Sequence, residues 1–472
     1  MQLKKFGCVL AATIVISLFT ATARCQTSDD KPNVIFILSD DLGYGDVGCY
    51  GQKQILTPNI DKIAAEGILF TQAYSGSPLC GPSRSTLVTG LHTGHTQIRH
   101  NPSQAAGWDR TAQGDPPLND DTPTFAKIYK SAGYATAIIG KWGLGVPGQA
   151  GSPDRLGFEY FFGYDSHVAA HNYYPDHLWR NAQKVPLDKK TYSNDLFASE
   201  SLKFVREHKD HAFMAYLSYT IPHQPLNPPS LAPYEGKDWP VKEKAYAAMI
   251  TRMDTDIGKL LDLLKELKLD EKTLVIFTSD NGADSAGGHK IPFFDSNAGL
   301  RGKKQTAYEG GIRVPFVARW PGHIPAGQKT EQLAAFWDFL PTSAELVHAD
   351  PPTKTDGVSL VPTLLSHPEK QKQHEYLYWE LAANGGYQEI RIGDWKADIL
   401  QVSEGSPKVE LYSMKGDLLE KHDVAAEHPD TVDQIKRMAS EAHTPSAMFP
   451  LLPDEIAKAD PKLSKRSPKP PK

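Results

Sequence analysis

The sequence predicts an α/β fold, in which a large, mostly parallel sheet is sandwiched by helices and a smaller C-terminal α+β subdomain carries an antiparallel sheet. The first observation is a series of continuously apolar runs of strand length, as expected for strands buried on both faces. The second is that helical patterns separate these runs, which indicates parallel strands joined by helical crossovers. The third is a change after about residue 350 to alternating apolar and polar residues, typical of half-exposed antiparallel strands.

The elements follow one another in the order strand, loop, helix. Buried strands are predicted at 33–39, 135–139, 212–218 and 273–279, with a further strand at 314–319. Helices are expected to begin at Thr57-Pro58 and Thr122-Pro123, where a capping residue precedes proline, and a long amphipathic helix is expected over 243–267. The C-terminal strands are predicted at 374–380, 387–392, 395–399 and 410–413.

The N-terminus has the pattern of an export signal over residues 1–23. Two lysines precede an apolar run at 9–20, and Ala21-Thr22-Ala23 matches the small-residue pattern of a cleavage site. The run is too short to span a membrane, so a periplasmic or secreted protein without a stable membrane anchor is expected. Cys25 raises the alternative of a lipoprotein, but Arg24 before it is a poor residue for that cleavage.

Composition is that of a globular protein long enough for two domains. The chain has 472 residues, of which 40% are hydrophobic, and the predicted division is an α/β domain at 31–350, an α+β subdomain at 351–456 and a disordered Pro/Lys-rich tail at 457–472. A net charge of -5 and the lack of a basic stripe argue against a nucleic-acid partner. With four cysteines, the chain relies on its core and not on disulfides.

Polar residues fall shortly after the predicted strands, where open α/β sheets place their ligand crevice. These residues are Asp40, Asp41, Lys141, His223, Asp280 and Asn281. Each acidic pair alone has a simpler reading, since Asp40-Asp41 could cap a helix and Asp280-Asn281-Gly282 could form a turn. Two acidic pairs in the same structural position favour one shared site.

The acidic pairs offer oxygen ligands only, which suits a hard cation, Ca²⁺ or Mg²⁺, better than Zn²⁺. Three carboxylates with one dication leave net negative charge, so an anionic substrate would need further positive groups nearby. The candidates are Arg84, Lys141, His223 and Lys304.

Cys80 stands at the predicted start of a helix, because Pro82 suits about the first helical position. Unpaired N–H groups and the helix dipole favour negative charge there, so its thiol is expected to be reactive. The alternative is a small apolar residue packed under a turn. The run 78–90, with Cys80-Gly81-Pro82-Ser83-Arg84 at its centre, resembles the modification signature of the type I sulfatases, in which the cysteine is converted to formylglycine.

The resemblance to this formylglycine-dependent, arylsulfatase-like family of the alkaline phosphatase superfamily covers nearly the whole mature chain and implies its fold and site. The implied Ca²⁺ ligands, with Mg²⁺ less favoured, are Asp40, Asp41, Asp280 and Asn281. The implied catalytic residues are Cys80, Arg84, Lys141 (in the second signature, 133–142), His223, Lys304 and Asp280. It also implies a partner that oxidises Cys80, either a formylglycine-generating enzyme or an anaerobic sulfatase-maturing enzyme.

One position departs from the family pattern. Many members have histidine two residues after the signature lysine, whereas this chain has Gly143. That histidine is usually assigned to the release of sulfate, so another group or water is expected to act here. Possible stand-ins or substrate contacts are His167, His171 and His289, although each could equally be a surface or hydrogen-bonded histidine.

The reaction implied by the resemblance is hydrolysis of a sulfate monoester, on a sulfated polysaccharide or oligosaccharide. Asp280 would take the proton of the attacking hydroxyl, His223 would protonate the leaving alcohol, and the cations would stabilise the sulfuryl oxygens. A galactose-type or glycosaminoglycan-type substrate is expected from the likeness of residues 287–297 to bacterial polysaccharide sulfatases. The loops expected to set specificity are 94–121, 166–175 and 282–297.

Two alternatives remain open at the level of sequence. A related phosphoester or phosphonate hydrolase would also use formylglycine, but such relatives typically carry Asp-His where this chain has Asp280-Asn281. A non-catalytic carbohydrate-binding protein on the same fold is suggested only by Gly143.

Overall fold

The computed structural model describes residues 32–101, 106–109 and 113–459, so the predicted signal at 1–23 lies outside the described residues. The strands are β1 (Asn33–Asp40), β2 (Ile68–Phe70), β3 (Ala73–Tyr74), β4 (Ala135–Lys141), β5 (Tyr160–Tyr164), β6 (His177–Arg180), β7 (Gln183–Pro186), β8 (Phe213–Pro222), β9 (Thr273–Ser279), β10 (Phe316–Arg319), β11 (Gln328–Thr330), β12 (Ala334–Ala335), β13 (Leu377–Leu381), β14 (Tyr387–Ile392), β15 (Trp395–Leu400) and β16 (Lys408–Ser413). The α-helices are α1 (Pro58–Ala65), α2 (Cys80–Thr89), α3 (Phe125–Ser131), α4 (Ser193–Glu207), α5 (Val241–Glu266), α6 (Ile291–Phe294), α7 (Glu309–Ile312), α8 (Phe339–Leu346), α9 (Val361–Leu364), α10 (Pro429–Ala442) and α11 (Pro453–Ala459).

The main sheet has the strand order β11-β2-β10-β9-β1-β8-β4-β5-β6-β7 among the described residues. Its central strands β9, β1, β8, β4 and β5 are parallel, and Leu38 of β1 lies opposite Ser218 of β8 and Thr278 of β9. β10 joins β9 antiparallel, and β6 and β7 add an antiparallel pair at the far edge. The predicted large, mostly parallel sheet is therefore confirmed.

Helices cover both faces of this sheet, and β1 shows why its sequence is continuously apolar. Ile35 and Ile37 pack into one core with α1, α4 and α5. Val34, Phe36 and Leu38 point the other way and pack with α2, α3 and α8. Both faces of the strand are thus removed from water, and no position is left for the polar alternation of a half-exposed strand.

Several element boundaries differ from the sequence prediction; for example, the strand expected at 374–380 begins at Leu377, and the strand expected at 212–218 continues to Pro222. The helix expected to begin at Thr122-Pro123 begins at Phe125, because the side chain of Thr124 accepts the backbone N–H of Lys127 at 3.1 Å and so caps the helix two residues later. The strand expected at 314–319 begins at Phe316, after the short helix α7.

The C-terminal part contains the predicted antiparallel sheet, in the order β13-β14-β15-β16. One face packs against α10, where Ile435 and Ala439 meet Ile390 and Leu411. At another point Leu381 of this sheet contacts Leu79, the residue before Cys80. The C-terminal sheet thus belongs to the same compact unit as the main sheet, within the unit that begins at Pro32, and the predicted boundary at residue 350 stays a prediction.

The predicted disordered tail at 457–472 needs correction at its start, because α11 continues to Ala459. Glu455 anchors this helix: its carboxylate accepts the backbone N–H of Leu451 at 2.9 Å and lies 2.7 Å from Nε2 of His443. The rest of the tail lies outside the described residues. In the described part of the chain, no helix combines the length and the apolar character needed to cross a bilayer.

Glu389 on β14 is a buried carboxyl of the C-terminal sheet, and its burial predicts how the stability of the protein depends on pH. Burial, with Glu420 and Glu309 nearby, raises the pKa of Glu389 to about 8, although Lys396 lies 2.7 Å away. The folded state therefore holds a proton that the unfolded state loses, so stability falls as pH rises from about 5 to about 8. We expect Glu389→Gln to flatten this fall in the free energy of unfolding, by up to about 1.4 kcal/mol per pH unit.

Urea denaturation at the two ends of this pH range measures that slope. The exposed Glu427→Gln serves as the control and should leave the slope unchanged. An unchanged slope in Glu389→Gln would contradict the assignment of a raised pKa to this carboxyl.

Candidate active site

The site lies where the central parallel strands end. Asp40 is the last residue of β1, Lys141 is the last residue of β4, and Asp280 directly follows β9. His223 directly follows β8. Because β9, β1, β8 and β4 are neighbours with the same direction, their carboxyl ends bring these side chains together at one edge.

Four buried side chains that carry oxygen atoms form the centre of the site: Asp40, Asp41, Asp280 and Asn281. Asp41 has a φ of 68°, and this left-handed turn lets its N–H donate to Oδ1 of Asp280 at 3.2 Å. Nδ2 of Asn281 donates to Oδ1 of Asp41 at 2.8 Å. Two buried acceptors, Oδ1 of Asp40 and Oδ1 of Asn281, have no hydrogen-bond partner within the described residues.

Among the described residues, the site combines three carboxylates, one of which has an unpaired oxygen, with the unpaired amide oxygen of Asn281. This is the donor set of a hard cation, so the residues present fit Ca²⁺ or Mg²⁺. Oδ1 of Asp40 and Oδ1 of Asn281 would hold it, with Asp41 and Asp280 beside them. Asp40, Asp41 and His223 also form a group whose ligand atoms lie within 4.8 Å of one another. An all-oxygen set needs no contribution from that histidine.

Three cations surround the carboxylates. Nζ of Lys141 lies 2.7 Å from Oδ2 of Asp40, and Nζ of Lys304 lies 2.7 Å from Oδ1 of Asp41. Arg84 binds Oδ2 of Asp280 through Nε at 3.0 Å and Nη2 at 2.8 Å. Arg84 stands one helical turn after Cys80 on α2, so the helix carries both the thiol and the guanidinium into the site.

The surroundings lower the pKa of Asp40 and raise the pKa of Asp280. Burial opposes ionisation of Asp40, but Lys141, His223 and Arg84 outweigh it and hold the pKa of Asp40 well below its usual range. Burial and the charge of Asp40 raise the pKa of Asp280 to about 7. Asp40 is therefore ionised at neutral pH, and Asp280 is the carboxyl suited to gaining and losing a proton.

His223 faces Asp41 across the site. Its Nδ1 lies 2.7 Å from the carbonyl oxygen of Gln224 and so carries a hydrogen, while Nε2 lies 3.5 Å from Oδ2 of Asp41. Burial lowers the pKa of His223 more than Asp41 and Asp40 raise it. The ring of His171 stacks on it with centroids 4.3 Å apart.

Cys80 is buried at the first position of α2. Asn101 is its close polar neighbour: Nδ2 lies 3.6 Å from the sulfur, and Oδ1 accepts the N–H of Gly81 at 3.0 Å. Cys80 and Cys49, the cysteines within the described residues, are both free thiols, as expected for a cysteine that undergoes chemistry.

The three histidines named as possible stand-ins occupy different places. His171 lies beside His223, as described above. His289 is engaged elsewhere, since Nδ1 lies 2.6 Å from Glu243 and Nε2 lies 3.0 Å from Ser296. His167 is buried beside Gly81, with Nδ1 2.7 Å from Oδ2 of Asp115.

Sequence reasoning did not name three residues that contribute to the site. Oγ of Ser218 accepts a hydrogen bond from Arg84 and donates to the carbonyl of Lys141 at 2.6 Å. Ser218 is the polar residue at the end of the apolar run 212–218, so the rule that strand ends carry site residues also applies to it. Asn101 and Asp115 lie in the loop 94–121, which is expected to set specificity, but no periodic pattern distinguishes these two residues from the rest of the loop.

Comparison with known proteins agrees with this geometry. The family model "Sulfatase" matches residues 32–349, and the model "N-sulphoglucosamine sulphohydrolase, C-terminal" matches residues 300–444. The chain is 34% identical over 365 residues to N-acetylgalactosamine-6-sulfatase of Homo sapiens, which covers 71% of this chain and 66% of that protein. It is 33% identical over 392 residues to the same enzyme of Sus scrofa, covering 76% of this chain and 71% of that protein.

Among solved structures, Ps i-CgsB in complex with k-i-k-neocarrahexaose superposes with a TM-score of 0.76 and 29% sequence identity, over 87% of this chain and 93% of that chain. The aligned segments of the human enzyme amount to just under two thirds of its length. The family model alone spans well over half of this chain, including the strand-end cluster and the helix that begins at Cys80. The chain therefore belongs to the sulfatase family, the sulfuric ester hydrolases of the alkaline phosphatase superfamily.

Proposed function

We propose that this protein hydrolyses sulfate monoesters of sulfated carbohydrates, with a formylglycine made from Cys80 as the attacking group. The observation that carries this proposal is the convergence of Arg84, Lys141 and Lys304 on buried carboxylates at the strand ends, where α2 presents Cys80. A sulfate ester is an anion whose oxygens gain charge during transfer, and fixed cations in a water-poor site stabilise that charge.

The metal proposed for this site is one Ca²⁺ ion, with Mg²⁺ less favoured. Asp40, Asp41, Asp280 and Asn281 supply protein oxygens only, and Mg²⁺ usually retains several waters instead of accepting such a set. When bound, the cation would polarise the oxygens of the sulfate ester and favour ionisation of a neighbouring hydroxyl.

The proton transfers are assigned to two side chains. Asp280 accepts the proton of the hydroxyl that attacks sulfur, because Arg84 of α2, the helix that begins at Cys80, binds its carboxylate at 2.8 Å. His223 donates a proton from Nε2 to the leaving alcohol, with help from Lys304. An anionic substrate favours the protonated form of His223, since it adds negative charge beside a ring that burial otherwise keeps neutral.

A galactose-type or glycosaminoglycan-type sugar is the proposed substrate. The relatives named N-acetylgalactosamine-6-sulfatase and the complex of Ps i-CgsB with neocarrahexaose support this class, and no sulfate position is proposed for the substrate of this protein. The protein is further proposed to be exported to the periplasm or medium. It would be matured by a formylglycine-generating enzyme or an anaerobic sulfatase-maturing enzyme.

The preference of the enzyme for sulfate over phosphate esters tests the proposed sulfatase activity directly. Each of the three cations is already paired with a buried carboxylate, so the site suits a monoanionic sulfate better than a dianionic phosphate. With Ca²⁺ present, we expect kcat/KM for an aryl sulfate to exceed that for the matching aryl phosphate by about 100-fold or more. Faster hydrolysis of the phosphate would favour the phosphoester or phosphonate hydrolase instead.

The sugar is tested with a panel of defined sulfated mono- and oligosaccharides, following release of inorganic sulfate. Galactose-type and glycosaminoglycan-type members are expected to be cleaved, and their desulfated counterparts are the blanks. Binding of these sugars without sulfate release by protein with converted Cys80 would favour the non-catalytic carbohydrate-binding alternative.

A further inference from the structure

The ring of His167 occupies the space that a side chain at position 143 would fill. A Cβ on Gly143 would lie 2.2 Å from Cε1 and 2.4 Å from Nδ1 of His167, which is closer than real atoms approach. Gly143 has a φ of 74°, a conformation that also favours glycine. The glycine that replaces the family's histidine therefore makes room for another histidine.

The same ring also lies close to the start of α2. A Cβ on Gly81, the residue after Cys80, would lie 3.5 Å from both Cε1 and Nε2 of His167. The ring is thus close to two glycines, one just after the end of the Lys141 strand and one on the helix that begins at Cys80.

Asp115 fixes the orientation of this ring. Its Oδ2 lies 2.7 Å from Nδ1 of His167 and also accepts the backbone N–H of His167 at 2.7 Å. The hydrogen therefore sits on Nδ1, and Nε2 presents its lone pair. Nε2 is buried and has no hydrogen-bond partner within the described part of the chain. A buried imidazole with one nitrogen held by a carboxylate and the other free is the arrangement of a general base.

The charge state of the ring agrees with that arrangement. Burial, with Lys141 and Arg84 at longer range, lowers the pKa of His167 more than Asp115 raises it. Burial opposes ionisation of Asp115, but His167 outweighs it and lowers the pKa of Asp115. At neutral pH the pair is thus a neutral imidazole beside a carboxylate, and it can accept a proton.

We propose that His167, oriented by Asp115, replaces the histidine missing at position 143 and accepts at Nε2 the proton that residue 80 loses when sulfate is released. This rests on the proposed function. The O–H bond of the hydroxyl on residue 80 breaks, its electron pair forms the C=O bond of the aldehyde, and the C–O bond to sulfate breaks with its pair leaving on sulfate. Water then adds to the aldehyde and restores the diol.

The other two histidines do not fit this role. Both ring nitrogens of His289 are engaged by Glu243 and Ser296. His171 stacks on His223, on the side of the site assigned to the leaving alcohol.

The test measures separately the two steps of the reaction, which are release of the phenol and release of sulfate from residue 80. His167→Ala is mixed rapidly with an aryl sulfate, the released phenol is followed in time, and the peptide that contains residue 80 is weighed by mass spectrometry. We expect one equivalent of phenol to be released quickly, followed by turnover about 10²- to 10³-fold slower than wild type, with sulfate retained on that peptide. Asp115→Asn should show the same retention to a smaller extent.

The matched control is His177→Ala, because His177 forms a comparable pair with Asp176, at 2.7 Å and on the surface. It should behave as wild type, and thermal melting checks that each variant is folded. Wild-type turnover without retained sulfate in His167→Ala would overturn this inference, and so would loss of turnover without the initial release of phenol. A wild-type protein with converted Cys80 that cleaves no sulfate ester would instead overturn the proposed function.

Discussion

Cys80→Ala is expected to lower the turnover of sulfate esters by at least about 10⁴-fold, because it removes the thiol group whose oxidation produces the aldehyde that carries the attacking hydroxyl. The fold should survive. Within the described residues, the polar contacts of the sulfur are weak ones, at 3.6 and 3.8 Å from the side chain of Asn101, and alanine leaves only a small void. The measurement is the initial rate of sulfate release, with thermal melting alongside.

Two variants sharpen this experiment. Cys49→Ala removes the other cysteine in the described residues and should retain wild-type turnover. If left unmodified, Cys80→Ser should release at most one equivalent of alcohol, because a serine ester of sulfate has no second hydroxyl to expel the sulfate. Wild-type turnover by Cys80→Ala would contradict the assignment of residue 80 as the nucleophile.

Asp40→Asn is expected to weaken Ca²⁺ binding and to lower turnover by on the order of 10³-fold. The substitution removes the charge of a carboxylate whose Oδ1 is buried without a hydrogen-bond partner among the described residues and whose Oδ2 pairs with Lys141 at 2.7 Å. It therefore affects both the proposed metal site and a cation that would bind sulfate. Calorimetric titration with Ca²⁺ measures the first effect, and steady-state kinetics measures the second.

Asp454→Asn is the control, because Asp454 is an exposed carboxylate that pairs with Lys458 at 3.2 Å on the C-terminal helix α11. It should leave both Ca²⁺ affinity and turnover unchanged. Full turnover by a chelator-treated wild-type protein that contains no metal would contradict the metal assignment.

The strand-end residues were predictable because their positions follow from the fold class. A run such as 273–279 is apolar throughout, so the polar residues after it mark the end of a buried strand, and parallel neighbours bring such ends together. This reasoning applies to Asp40, Lys141, His223 and Asp280. Their roles as ligands, acids and bases came from the family resemblance and remain proposals.

The pairing of His167 with Asp115 was not predictable by the same reasoning. The two residues are 52 positions apart in the chain, and neither lies at the end of a strand of the main sheet. The sequence shows that Gly143 stands where many family members have histidine. Only the tertiary structure shows that the ring of His167 lies in the space beside Gly143. Contacts of this kind depend on how loops pack over a sheet, and the periodicity of the chain carries no information about that packing.

Local competition between caps explains the smaller differences. Thr122-Pro123 and Thr124 are both acceptable helix starts by sequence, and the helix begins after the threonine whose side chain meets the N–H of Lys127. The C-terminal helix, which continues to Ala459, is held at its first turn, where Glu455 contacts His443 at 2.7 Å. At the first of these helices one hydrogen bond decides a boundary that composition leaves open.

The central claim is that a converted Cys80 hydrolyses sulfate esters, and its most direct test relates turnover to the extent of conversion. Preparations made with different amounts of a maturing enzyme are assayed for sulfate release, and the fraction of aldehyde in the peptide containing residue 80 is measured by mass spectrometry. Turnover should rise in proportion to that fraction and vanish when Cys80 is wholly unmodified. Full turnover by protein that carries only the unmodified thiol would contradict the claim.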